Sequence, residues 1–490
     1  SFKPMTYTAG FEKGYTPNTI LWDVNTSFPN GSGGAYTPFD YDLGERGPMR
    51  VRNALQSSLN LPAVEMTYLV GVENLLDFAA RMGYTTLTNH SLYGLSLGIG
   101  AGDVTLLEHA DAFAALANEG VRHPSVSILK VEGPNGTVLD EWKPDDGEKV
   151  LDPNITRMTA NVLTDNAART AVFGASSYLQ LGDRPVAAKT GTTNDFYDAW
   201  TMGYTPSLVA GVWVGNNKHI PMKRGSDGSV VAAPIWNGFM RRALEGKPIE
   251  YFTAPNIPVT GKAIIDGSMP ATTVTVDKAS GKLATDFTPS SMRETKTYAE
   301  YHSILQYVDR NDPLGPAPAD PNADPEYAAW EKAIADWIAK RETETGIKIE
   351  RTAPPTEYDD VHVPANVPSV RMTSPENDAT LSGRDVFLSA SASAPRGVSR
   401  VEFYIDGYFL GVDQSEPWSI DAHIPNTVSR GYHTLKAVTY DDVDNSASDT
   451  VGVRVESEPA ATSFEQIQPG YLPESVCIQA GPVSRVSSTP

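Results

Sequence analysis

Pro313, Pro316, Pro318, Pro321 and Pro325 fall within 13 residues, and this cluster limits the fold more than any other feature. Each proline fixes its own φ and removes a backbone donor, so neither a helix interior nor a central strand runs through the stretch. It reads as a stiff, extended linker. Trp330, Ile334, Trp337 and Ile338 follow at helical spacing, which predicts a short amphipathic helix docked on a neighbour. At roughly 100–200 residues per domain, a chain of 490 residues holds about three domains. The expected division is a first domain over 1–310, a linker with its helix over 311–365, a third part over 366–457 and a disordered tail over 458–490.

The first part mixes helical and strand patterns without a regular βαβ period, so it is expected to be α+β. Thr105 and Glu108 form a capping box ahead of an apolar face of Leu106, Leu107, Ala110, Phe113, Ala114 and Ala117, with Gly120 as the stop. Asp152-Pro153 opens a second helix through Met158 and Leu163. Trp200–Tyr204 and Leu208–Gly215 flank Thr205-Pro206-Ser207 as an antiparallel hairpin. In the third part, Val401, Phe403 and Ile405 alternate with polar neighbours before an Asp406-Gly407 turn. Leu435, Ala437 and Thr439, then Val451, Val453 and Val455, repeat the alternation, which predicts an all-β immunoglobulin-like sandwich.

The formal charge of −21 excludes a nucleic-acid footprint and opposes adsorption to anionic lipid. The single cysteine, Cys477, excludes an intrachain disulfide framework and multi-thiolate metal sites, and fits a bacterial extracytoplasmic protein, with a cytosolic one also open. No stretch approaches the ~18–20 apolar residues of a membrane span, and no signal peptide is recognisable. The start at Ser1-Phe2-Lys3-Pro4 reads as a piece of something longer.

Lys189-Thr190-Gly191-Thr192, after the apolar run Pro185-Val186-Ala187-Ala188, is the most informative stretch. A lysine at an exposed strand end beside a cleft can hold an anionic carboxylate, threonine can donate to it, and glycine lets a ligand backbone approach. Alone, the tripeptide reads better as a strand edge ending in a turn. The context changes that reading. Ser58-Leu59-Asn60 lies upstream, and Phe2-Lys3-Pro4 opens the chain. With Thr192-Thr193-Asn194-Asp195, Asp198-Ala199-Trp200, Gly203-Tyr204-Thr205-Pro206, Gly211-Val212-Trp213-Val214-Gly215 and Ala233-Pro234-Ile235-Trp236, these resemble the transpeptidase domain of class A (bifunctional, 1A-type) penicillin-binding proteins over roughly residues 1–260. The resemblance implies the α+β fold of that superfamily, a five-stranded sheet with a helical subdomain.

The first motif departs from the family's Ser-x-x-Lys. Aligning Phe2-Lys3-Pro4 puts Ser1 on the variable second position, so the nucleophilic serine is expected immediately before Ser1, outside the chain, which then cannot be acylated. Ser1 itself is the alternative nucleophile. The resemblance further implies that Lys3 is the base, that Ser58 relays a proton to the leaving amine, and that Asn60 holds Lys3 and the substrate amide. Lys189 would bind the substrate carboxylate and keep Lys3 neutral by like-charge repulsion. Thr190 and Thr192 would grip the same carboxylate, with Gly191 between them and the Thr192 N–H in an oxyanion hole.

The implied partners are stem peptides ending in D-Ala-D-Ala, an acceptor amine, and β-lactams as inhibitors. No cofactor or metal is implied, and nucleic acid is not a partner. An upstream glycosyltransferase domain and membrane anchor would place the parent in the bacterial cell envelope, on the outer face of the cytoplasmic membrane. The rivals are a D,D-carboxypeptidase or β-lactamase-like serine hydrolase and a non-catalytic wall-binding protein. The eight histidines are scattered without a His-Glu-x-x-His pattern. Asp195 and Asp198 suit a turn and a hairpin bond better than paired acid–base work. Trp213 and Trp236 read as core, and Tyr404 and Tyr408 as packing on a spacer module.

Overall fold

The computed structural model describes residues 1–29, 34–349 and 353–456. The chain divides into two compact units, one from Ser1–Thr273 and Thr297–Pro354, the other from Val274–Lys296 and the chain from Pro355 onward.

The first unit is built around the Lys3–Lys13 helix, which is buried from Lys3 through Phe11. Its buried polar side chains are satisfied locally: the Thr6 hydroxyl donates to Gly98 O at 2.8 Å and the Thr8 hydroxyl to Pro4 O at 2.6 Å. The fully buried Leu61–Val70 helix packs along it, and so does the Pro153–Leu163 helix, capped by Asp152 as its sequence requires. The Leu106–Ala117 helix carries the expected capping box. Its buried face is corrected, however. His109, Ala112, Phe113 and Leu116 face inward, while Leu106 and Leu107 are exposed. The i, i+3, i+4, i+7 set fixed by the core begins at His109, and the leucine pair of the first turn lies off it.

Three strands form an antiparallel sheet in the order Leu208–Gly215, Asp198–Thr205, Ala187–Thr192. Lys189 pairs with Met202 and Thr190 with Thr201. Side chains alternate between two layers. Ala187, Met202 and Tyr204 enter the main core, whereas Ala188 packs with Trp236 and Met240 of the Ala233–Ala243 helix. Where the resemblance implies five strands, this sheet has three. Among the described residues, no other extended segment pairs with the outer strand Leu208–Gly215.

The expected extended linker is also corrected. Its prolines sit in turns and a short 3-10 helix, Pro321–Ala323, that lead into a 19-residue helix, Tyr327–Thr345. Trp330 is only 2% exposed and joins the main core, while Ala333, Ile334 and Ile338 cover Trp22 and Val24. Burial of one large aromatic ring on the order of 150–250 Å² outweighs the proline stiffness that suggested a free spacer. The first unit therefore continues past residue 310, to Pro354.

In the second unit, a three-stranded sheet (Ser369–Ser374, Asp385–Ser393, Ser419–His423) and a five-stranded sheet enclose an apolar core. Val401, Phe403 and Ile405 are fully buried, as their alternation predicts, with Leu435 and Val453 beside them in the five-stranded sheet and Leu388 of the three-stranded sheet in the same core. Asp406 and Gly407 both take positive φ, the geometry of a tight hairpin turn. The tail over 458–490 lies outside the described residues.

Candidate active site

Four chain segments meet at Ser58. The loop between the Val51–Gln56 and Leu61–Val70 helices holds Ser58 at φ +58, a left-handed conformation costing a non-glycine residue about 1–2 kcal/mol. Such strain persists only where neighbours enforce it. Here the Ser58 N–H donates to Leu55 O at 3.1 Å and the Leu59 N–H to Ala54 O at 3.0 Å, with Leu59 wholly buried. Asp40 completes the clamp: its Oδ1 accepts the Asn60 N–H at 2.5 Å, and its Oδ2 lies 3.2 Å from the Arg46 guanidinium. The Asn60 amide donates to Phe39 O at 2.7 Å.

The first helix delivers Lys3 to this loop. Its Nζ donates to Ser58 O at 2.6 Å and to Asn60 Oδ1 at 2.7 Å, and stands 3.5 Å from Ser58 Oγ. The Ala187–Thr192 strand delivers Lys189, whose Nζ donates to the same Ser58 Oγ at 2.7 Å and to Thr190 O at 2.8 Å. Both lysines are buried, at 7% and 3% exposure, so Lys189 is not the exposed strand-end charge its sequence position suggests. Gly191 is required at its place. A Cβ there would stand 2.1 Å from the Ser1 nitrogen, so the close approach it permits is to the head of the first helix.

Burial pushes the Lys3 amine down to about 8, against the opposing pull of the Asp40 carboxylate. The Lys189 amine is driven well below its usual range, first by burial and then by the charges of Lys3 and Arg169. The like-charge repulsion expected to neutralise Lys3 thus acts chiefly on Lys189, and desolvation does the work at Lys3.

The structure brings together Lys3, Ser58, Asn60 and Lys189. Thr190 and Thr192 alternate to the other side of the strand from Lys189. Thr192 Oγ1 accepts the Gly228 N–H at 3.1 Å, and Gly228 O accepts the Thr201 hydroxyl at 3.0 Å. Ser1 Oγ lies 3.0 Å from His109 Nε2, and His109 Nδ1 is 2.6 Å from the Tyr84 hydroxyl. Burial holds the His109 ring down to about 3, so it is neutral.

Asp40, His109 and the buried Arg169 were missed in the sequence. None sits in a recognisable spacing, and only the fold joins them to the motifs. Asp198 is a hairpin group, as expected, accepting from the Trp213 indole at 2.9 Å. Trp213 is itself 37% exposed and not core, in contrast to the wholly buried Trp236.

Residues 1–241 match the family model described as penicillin binding protein transpeptidase domain, and residues 368–437 match bacterial Ig domain. Penicillin-binding protein 1A of Neisseria lactamica is 31% identical over 267 residues, 53% of this chain and 33% of that protein. Penicillin-binding protein 1A of Aquifex aeolicus is 34% identical over 257 residues, 52% of this chain and 34% of that protein. The chain thus spans about a third of the length of these curated relatives. The crystal structure of penicillin-binding protein 1A from Haemophilus influenzae aligns at 23% identity with a TM-score of 0.47, covering 61% of this chain and 47% of that one. Residues 1–241 are a penicillin-binding-protein transpeptidase domain, and the chain joins to it a bacterial immunoglobulin-like domain.

Proposed function

We propose that the first unit is the acyl-transfer half of a peptidoglycan D,D-transpeptidase. The observation that carries this reading is the convergence of two buried, depressed lysines on one serine hydroxyl, with Asn60 holding the first of them. A hydroxyl nucleophile needs a neutral base beside it. At pH 7 an amine with a pKa of about 8 is neutral in roughly one molecule in ten, against fewer than about one in a thousand for an ordinary lysine. A serine three residues ahead of Lys3 would share one helix face with it, which brings hydroxyl and amine together.

Lys3 takes the serine proton as Oγ attacks the penultimate D-Ala carbonyl. Ser58 Oγ, accepting from Lys189 and in reach of Lys3, passes its own proton to the departing D-Ala nitrogen and takes in exchange the proton that Lys3 received from the nucleophile. Lys189 supplies positive charge for the terminal carboxylate, which in turn stabilises the charged amine. An acceptor amine then resolves the ester. The substrate class, the envelope location and β-lactam inhibition follow from the same reading. Among the described residues, no helix is long and apolar enough to cross a membrane.

The test is a chain extended by Gly-Ser ahead of Ser1, incubated with a D-Ala-D-Ala-terminated pentapeptide and an amine acceptor, with products read by mass spectrometry. Release of D-Ala with cross-linked product is expected. Release with hydrolysed tetrapeptide alone would make the domain a carboxypeptidase, and no release would leave it a binding fold.

A further inference from the structure

The second unit buries a cluster that the transpeptidase reading does not use. Asp277, Asp359 and His362 have side chains with no solvent exposure, and one ligand atom of each lies within 4.8 Å of the other two. Each is held from behind. Asp277 Oδ2 accepts the Ser280 N–H at 2.6 Å. Asp359 Oδ1 accepts the N–H groups of Val361 at 2.9 Å and His362 at 3.2 Å, and Thr288 donates its hydroxyl to Oδ2 at 2.6 Å. His362 Nε2 donates to Val443 O at 2.9 Å. That leaves His362 Nδ1, Asp359 Oδ2 and Asp277 Oδ1 pointing at one another, and Asp277 Oδ1 has no hydrogen-bond partner.

Charge does not balance there without help. Two buried carboxylates face one imidazole, so even a protonated ring leaves the cluster at −1. An uncompensated charge in a dry interior is costly. A divalent cation with a neutral ring brings the sum to zero. The outer bonds are those of a metal-ligand shell, above all the ring N–H donated to a backbone carbonyl, which fixes the tautomer and leaves Nδ1 free to ligate. One nitrogen and two carboxylate oxygens suit a zinc-class ion with a fourth position for water. Ligands about 2.0–2.1 Å from such an ion stand about 3.3 Å apart. His362 Nδ1 and Asp277 Oδ1 are already at 3.5 Å, whereas His362 Nδ1 and Asp359 Oδ2, at 2.6 Å, would open by about 0.7 Å as an ion replaces the shared proton.

We propose that Asp277, Asp359 and His362 form a structural divalent-metal site of the zinc class, pinning the 274–296 segment to the immunoglobulin-like unit.

The experiment uses the full chain, stripped by chelator dialysis and titrated with Zn²⁺ by calorimetry and with Co²⁺ by visible absorption. One tight equivalent, a d–d spectrum of tetrahedral cobalt and a raised melting midpoint of the second unit are expected. Asp277→Asn should weaken Zn²⁺ binding at least about tenfold and abolish the metal-dependent midpoint shift. Its metal-free chain should melt no lower than the metal-free parent, because a buried uncompensated charge is gone. Failure of the parent to give the cobalt spectrum, or equal Zn²⁺ affinity in parent and variant, overturns the proposal and leaves a proton-held ion cluster. A metal-free variant that melts well below the metal-free parent also overturns it, since Asp277 would then be paired without metal.

Discussion

Lys3→Met separates the titration of this amine from the rest of its contacts. In the folded chain burial lowers the Lys3 amine from 10.5 to about 8. The unfolded chain binds that proton more tightly, so below about pH 8 the buried charge works against folding, and stability is recovered as pH rises from about 8 through 10.5. With those two values the cost is about 3.3 kcal/mol at pH 7 and about 1.4 kcal/mol at pH 9.5. Methionine removes the titration. It also removes the bonds to Ser58 O and Asn60 Oδ1, but that loss is a nearly constant offset across the range. The stability difference between parent and variant should therefore move by about 2 kcal/mol in the parent's favour between pH 7 and pH 9.5. Urea denaturation of both chains across that interval, followed by a probe of the first unit, measures it. Parallel pH profiles would refute the reasoning. They would mean that Lys3 keeps an ordinary pKa and holds no neutral fraction to act as a base.

Two further substitutions follow from burial. In the Gly-Ser-extended chain, Lys189→Ala should slow penicillin acylation by about 2–4 kcal/mol of transition-state free energy while costing the fold far less, because relief of a buried amine disfavoured in its charged form offsets the bonds and packing lost. Stopped-flow acylation beside calorimetry reads both, and equal damage to the two would make Lys189 structural. Trp330→Ala should destabilise the first unit by about 3–5 kcal/mol, since its ring fills the main core against Phe28 and Tyr68. Thermal unfolding that left this unit unchanged would restore the free-linker reading.

The motifs were legible because each combines a reactive side chain with a fixed neighbour: Lys3 before Pro4, Ser58 two before Asn60, Lys189 two before Gly191. Capping and turn chemistry was legible for the same local reason, at Thr105 with Glu108, at Asp152 and at Asp406-Gly407. What depends on contacts distant in sequence was not. Asp40 reaches Asn60 only through the fold, and Asp277 meets His362 across an intervening stretch of the first unit. Prolines report backbone stiffness and say nothing of whether a Trp330 downstream finds a core. Helical periodicity misplaced the buried face of Leu106–Ala117 because the inward set includes a histidine, which a hydrophobic pattern does not count. His109 is buried through its bonds to Tyr84 and Ser1.

The most direct test is intact-mass spectrometry of the Gly-Ser-extended chain after exposure to penicillin, followed by peptide mapping. A single penicilloyl adduct on the serine preceding Ser1, absent from the unextended chain, is the expected result. An adduct on Ser1, or none on the extended chain while it remains folded, would contradict the assignment of Lys3, Ser58, Asn60 and Lys189 as a serine acyl-transfer site.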